Sequence, residues 1–157
     1  MATASGMLTI ATVLEILDAG DYVIAMDDLY GGTYRLFEKV RKRSAGPEFS
    51  FADVGDSDQL AASLQPNTKM IGVETPTKPL LKWVDLEVVA TFAKRHNLIA
   101  VCDNTFCKPF VQQPLAFGFD LVVHAVTKYL NGHSDVVGGI VVLSLIHISE
   151  PTRRRGI

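Results

Sequence analysis

The feature that most limits what this chain can fold into is a regular change of hydrophobic period along its length. Met7, Ile10, Ala11, Leu14 and Leu17 recur at helical spacing across residues 7–17, whereas residues 22–26 form a short apolar run of strand length. Ser5 is the expected N-cap of the first helix and Gly20 its expected stop. Residues 33–42 read as a helix with a basic end, which suits its dipole. Residues 49–53 read as a strand, 58–64 as a short helix and 69–74 as the next strand. The TPTKP stretch at 75–79 is excluded from a helix, because each proline pushes the residue before it to extended geometry. Asp85 caps a helix running through residue 96, and strands follow at 98–102 and 121–126. Strands alternating with helices specify an α/β fold with a mostly parallel sheet.

Such sheets carry their chemistry at the carboxyl ends of the strands. The polar residues fall there. Asp27 and Asp28 follow one strand, and Glu74 ends another. Asp103 and Asn104 follow a third, and Thr127 and Lys128 a fourth. Any one of these is ordinary loop chemistry. Four together point to a site on one edge of the sheet.

Length and composition narrow the classes. The 157 residues fit one domain or one piece of a larger one. A hydrophobic share of 48% with 20% charged residues provides for a substantial core. The formal net charge of −2 implies no basic face, so nucleic acid is not an expected partner. Apolar runs are far too short for a transmembrane helix, and no secretory signal is evident. No membrane partner is expected. Cys102 and Cys107 stand without a second pair, which supports neither a disulfide framework nor a metal site. Reduced thiols in a cytoplasmic protein are the simplest expectation.

The last residues change character abruptly. LSLIHISEPTR, residues 143–153, matches one reading frame of a transposon-end adapter used in sequencing libraries. We therefore expect residues 143–157 to be a non-native tail and the natural sequence to stop near Val142. Its loss would remove Arg153, Arg154 and Arg155 with Glu150, leaving the remainder more acidic. The alternative is a genuine terminal strand with a basic end.

Lys128 is the candidate for covalent chemistry. In a semi-buried pocket a lysine loses its proton more readily, because desolvation disfavours the ammonium, and the free amine forms a Schiff base with an aldehyde. Pyridoxal phosphate is the common aldehyde cofactor. It needs an acid at its pyridine nitrogen, a cradle for its phosphate and a face to stack on. Asp103 either supplies the acid or caps its loop. Ser5, Gly6 and Met7 open a helix, which either receives a phosphate or is an ordinary N-terminus. Tyr30 either lies on the ring or is a half-buried loop residue. Thr127 either serves the phosphate or satisfies a backbone group, and Lys128 itself is otherwise a surface residue.

The segments ASGM, GDYVIAMDDLYGGTYRLF, PNTKMIGVETPTKPLL, VCDNTF and HAVTKYLNGHSDVVGG occur in this order. Together they resemble the cystathionine γ-synthase, γ-lyase and β-lyase family of fold-type I pyridoxal-phosphate enzymes, from about residue 4 to 142. The resemblance implies a three-layer α/β/α cofactor domain, of which residues 1–142 are a part. It implies a C–S lyase or transferase acting on cystathionine-type sulfur amino acids, assembled as a homodimer or homotetramer. The rival reading is a truncated, non-catalytic relic that keeps only the fold pattern.

Residue by residue, the resemblance implies that Lys128 holds the cofactor and later moves protons on the substrate. Asp103 pairs with the pyridine nitrogen, and Tyr30 stacks on the ring and helps activate the incoming amine. Gly6 and Met7 give backbone N–H groups to the phosphate, and Thr127 gives its hydroxyl. Thr105 sits close to the cofactor, and Glu74 lies near the site. The family usually has asparagine where this chain has Lys78, and commonly serine at Ala125. Small residues are usual at Cys107 and Lys108. Family members are longer, with an N-terminal segment that reaches a neighbouring subunit's phosphate and a C-terminal domain that holds the substrate carboxylate.

Overall fold

In the computed structural model, which describes residues 1–44 and 46–144, seven strands form a single sheet. The elements run in the order β1 (Ala2–Thr3), α1 (Gly6–Leu14), β2 (Tyr22–Met26), α2 (Gly31–Arg35), α3 (Lys42–Ser44) and β3 (Glu48–Ala52). Then come α4 (Ser57–Ala62), β4 (Thr68–Glu74), α5 (Leu86–Arg95), β5 (Ile99–Asp103), α6 (Lys108–Val111), β6 (Leu121–Ala125) and β7 (Gly139–Leu143). The sheet order is β1-β7-β6-β5-β4-β2-β3. Strands β3, β2, β4, β5 and β6 are parallel, and β7 and β1 run antiparallel at one edge.

Side chains alternate between the two faces of each strand, so one sheet builds two cores. Ile24, Met26, Ile71, Val73, Ala100 and Cys102 face one side, where Leu86, Val89, Ala90 and Ala93 of α5 and Leu60 of α4 cover them. Val23, Ala25, Met70, Val101 and Val123 face the other, under Val13 and Leu14 of α1 and Phe37. That is three layers. The connection after β2 covers one face, whereas α4 and α5 cover the other. The crevice between β2 and β4 is therefore a topological switch point, where ligands bind in open α/β sheets.

Most expected elements stand within a residue or two of their sequence positions. α5 is the clearest case. Asp85 accepts the Glu87 and Val88 N–H groups at 2.9 and 3.3 Å, while Leu86, Val89, Ala90 and Ala93 form its buried stripe. Such a cap contributes about 1 kcal/mol. Two helices depart from expectation. The first ends at Leu14 rather than 17, because residues 15–17 tighten into i→i+3 bonds from Glu15 to Thr12, Ile16 to Val13 and Leu17 to Leu14. Gly20 lies beyond it in a turn, at φ 88°. The second runs from Gly31 to Ser44 with a π-helical stretch, Leu36–Arg41, between α2 and α3. That stretch buries Phe37 against Phe49 and carries Arg41 to the Ala11 carbonyl and the Glu15 carboxylate. The two-residue β1 was not foreseen. It is too short for a period and exists through its pairing with β7. β7 ends at Leu143, the first residue of the adapter-like stretch; residues 145–157 lie outside the described residues.

Candidate cofactor cleft

The C-terminal ends of β4, β5 and β6 open onto a cleft of about 320 Å³. Glu74 and Asp103 are register partners at the ends of adjacent parallel strands, so their carboxylates lie on the same face of the sheet. Asp103 is held by its own loop, its Oδ1 accepting the Thr105 N–H at 3.0 Å. The Thr105 hydroxyl in turn accepts the Ala125 N–H at 2.8 Å, tying the end of β5 to the end of β6. The start of α1 forms a wall. Leu8 N–H is capped by Ser5 Oγ at 3.1 Å and Thr9 N–H by Ser5 O at 3.0 Å, which leaves the Gly6 and Met7 N–H groups without an intrahelical acceptor at the cleft.

This wall stands where it does because Gly6 has no side chain. A Cβ on Gly6 would lie 2.5 Å from Ala125 Cβ and 3.1 Å from its Cα. Gly6→Ala is expected to cost about 2 kcal/mol, since β6 cannot give way. Urea unfolding checks this. The double variant with Ala125→Gly should recover part of the loss, and a single variant as stable as the parent would contradict the close approach.

All seven expected residues line this cleft: Gly6, Met7, Tyr30, Asp103, Thr105, Thr127 and Lys128. One setting differs from the expectation. Lys128 is exposed rather than semi-buried, because β6 stops at Ala125 and the lysine rides on a turn at the rim. That turn is closed by Lys128 N to Ala125 O at 3.2 Å and Gly132 N to Lys128 O at 2.9 Å. The Thr127 hydroxyl, also at the cleft, accepts the Gly138 N–H at 3.1 Å. Asp27 and Asp28 lie at the same edge but hold the loop after β4. Asp28 accepts Thr77 Oγ1 and the Leu80 N–H, and Asp27 pairs with Lys82, which also reaches Asp53 at 2.9 Å.

Of four further features of the site, Gly32 and Thr33 were not singled out from sequence, whereas Glu74 and Lys78 were named without the contacts they make. Gly32 makes room for the Tyr30 ring: a Cβ there would stand 2.5 Å from Tyr30 Cε1 and 3.0 Å from Met7 Sδ. The pair of glycines in DDLYGGT was the available hint. Glu74 Oε2 accepts the Tyr30 N–H at 2.9 Å across 44 residues of sequence. Lys78 also lines the cleft, with Nζ 4.7 Å from the centroid of the Phe106 ring. Beneath the carboxylates, the buried Thr33 borders a cavity of about 50 Å³, enough for a water.

The electrostatics follow from burial. Desolvation pushes Glu74 up to about 7, helped by the charge of Asp103, while the Tyr30 N–H and Lys78 pull the other way. Desolvation likewise raises Asp103 above the ordinary carboxylate range, against the Thr105 hydroxyl and N–H, Lys78 and His124. A cation placed against Asp103 would therefore offset the burial that disfavours its charge.

A family model described as Cys/Met metabolism PLP-dependent enzyme matches residues 1–154. The chain belongs to this family. A cystathionine beta-lyase of Coxiella burnetii is 56% identical over 142 residues, covering 90% of this chain and 37% of that protein. A cystathionine gamma-lyase of Bacillus subtilis is 47% identical over 149 residues, covering 95% and 39%. The crystal structure of cystathionine gamma-lyase from Lactobacillus plantarum complexed with L-serine matches with a TM-score of 0.92 at 44% identity, covering 96% of this chain and 39% of that one. The three-layer fold expected from the sequence is thus the fold of solved family members. The chain spans about two fifths of the length of these relatives.

Proposed function

We propose that this chain is part of the cofactor domain of a pyridoxal-phosphate enzyme that breaks or forms C–S bonds in cystathionine-type sulfur amino acids. The observation that carries this reading is the convergence of a buried carboxylate, a helix N-terminus, an aromatic ring and the Lys128 side chain on one cleft. The donor set fits pyridoxal phosphate group by group. Asp103 would meet the pyridine nitrogen, and its charge would be restored by that cation. The Gly6 and Met7 N–H groups would receive the phosphate, where the helix dipole favours an anion. Tyr30 would cover the ring face. Thr105 holds the ends of β5 and β6 together around the carboxylate, and Thr127 fixes the turn that carries Lys128.

Bound there, pyridoxal phosphate supplies an electron sink for the charge left on an amino-acid carbon when a proton departs. Lys128 Nζ is the group assigned to attach the cofactor and then to take and return protons at the substrate Cα. Exposure of Lys128 at the rim leaves it free to swing between these two tasks. The complete enzyme is proposed to be a cytoplasmic homodimer or homotetramer, with residues 143–157 a non-native tail. No helix among the described residues is long and apolar enough to cross a membrane.

Borohydride reduction in the presence of pyridoxal phosphate, followed by peptide mapping, tests the assignment. Label is expected on Lys128, and Lys128→Ala should abolish it while leaving unfolding unchanged. Label on Lys78 or Lys108 would refute it.

A further inference from the structure

We propose that Glu74 is the positioning residue for Tyr30: its carboxylate, in a cleft it shares with Lys78, latches the Tyr30 loop to the end of β4. The inference rests on the reading that Tyr30 covers the cofactor, and it adds a residue to which that reading gives no task.

Three observations carry it. The Tyr30 N–H donates to Glu74 Oε2 at 2.9 Å, joining the loop after β2 to the last residue of β4 across the topological switch point. Tyr30 itself is half exposed, at 52%, so little apolar burial fixes its place. Its loop turns directly into α2 through Gly31 and Gly32, which offer no side chain to brace it. The Glu74 bond is therefore the polar anchor that sets where the ring stands above Met7 and Gly32. Glu74 is 5% exposed, so no bulk water competes for it.

The strength of the latch depends on the charge of Glu74. A carboxylate accepts an N–H bond roughly twice as strong as a neutral acid does. Asp103 on β5 and Asp28 after β2 face Glu74 and disfavour its charge, whereas Lys78 and the Tyr30 N–H favour it. Lys128 lines the same cleft. With burial raising Glu74 to about 7, the latch tightens as pH rises through neutrality and loosens below it. Lys78 lines the same cleft and rests over the Phe106 ring, which holds the cation there without consuming its charge.

Amide NMR of Tyr30 in the 157-residue chain tests this without any cofactor. Its proton shift should titrate with a midpoint near 7 and lose that transition in Glu74→Gln. Lys78→Gln should move the midpoint upward. Hydrogen exchange at the Tyr30 amide should accelerate roughly tenfold in Glu74→Ala, the equivalent of one lost bond to a charged group, and less in Glu74→Gln, whose amide oxygen still accepts. A Tyr30 shift that does not titrate near neutrality, or exchange unchanged in Glu74→Ala, would overturn the proposal. An unmoved midpoint in Lys78→Gln would remove Lys78 from it. Failure of borohydride labelling at Lys128 would leave all these readings unaffected, so the two proposals fail separately.

Discussion

Replacing Gly139 with alanine is expected to destabilise the chain by about 3 kcal/mol, the upper end for overpacking a well-filled contact. A Cβ at this position would lie 1.9 Å from Thr9 Oγ1, 2.6 Å from Ser5 O and 2.8 Å from Thr3 Oγ1. None of the three can move cheaply. Thr9 Oγ1 is bonded to Thr3 Oγ1 at 2.6 Å and to Ser5 O at 3.0 Å. Ser5 O also accepts the Thr9 N–H that begins α1. The helix would have to lift from β7, and its N-terminus would leave the cleft with it. Gly138 next door is the control, since a Cβ there meets only Val126 Cβ at 3.7 Å and Thr3 O at 3.8 Å. Gly138→Ala should stay within about 0.5 kcal/mol of the parent. Urea midpoints for the two variants make the comparison, and a Gly139→Ala protein as stable as the parent would mean that α1 does not dock on β7.

Glu74→Gln should stabilise the chain at high pH and leave it nearly unchanged at low pH. Glu74 is raised in the fold to about 7 from 4.5, so the folded state keeps a proton that the unfolded state has already released. Its contribution is fully present below about 4.5 and is lost as pH rises through 7. The displacement corresponds to about 3 kcal/mol by pH 8, an upper figure because the buried charge can draw in water. Glutamine fills the same space, keeps an acceptor for the Tyr30 N–H and carries no charge. The difference in unfolding free energy between Glu74→Gln and the parent should therefore be near zero below about pH 4.5 and grow toward pH 8. Parallel pH profiles for the two proteins would show that Glu74 is not held up by burial.

The α/β class, the parallel strands and most helices were legible in the chain because their causes are local. Residues 22–26 and 70–73 are apolar on both faces, as strands covered by helices on both sides must be. Asp85 and the stripe from Leu86 to Ala93 write α5 into ten consecutive residues. The rule that polar groups gather at the carboxyl ends of such strands brought Glu74, Asp103, Thr127 and Lys128 to one edge of the sheet, and all four line the cleft.

The tertiary structure decided what depends on distance between elements. β1 has no pattern of its own and forms only beside β7. Nothing local distinguishes Gly6 and Gly139 from turn glycines; their need arises because α1 is pressed against β6 and β7. Asp28 and Glu74 look alike at strand ends, yet one fastens Thr77 and Leu80 while the other faces Asp103 and holds Tyr30. Lys128 was expected to be shielded and stands exposed, because shielding requires neighbours from other segments and the turn at the rim has few. Hydrophobic period and proline or glycine punctuation act within a few residues and so can be read along the chain. Burial, charge coupling and close approach are properties of pairs that the fold brings together, and only the fold fixes them.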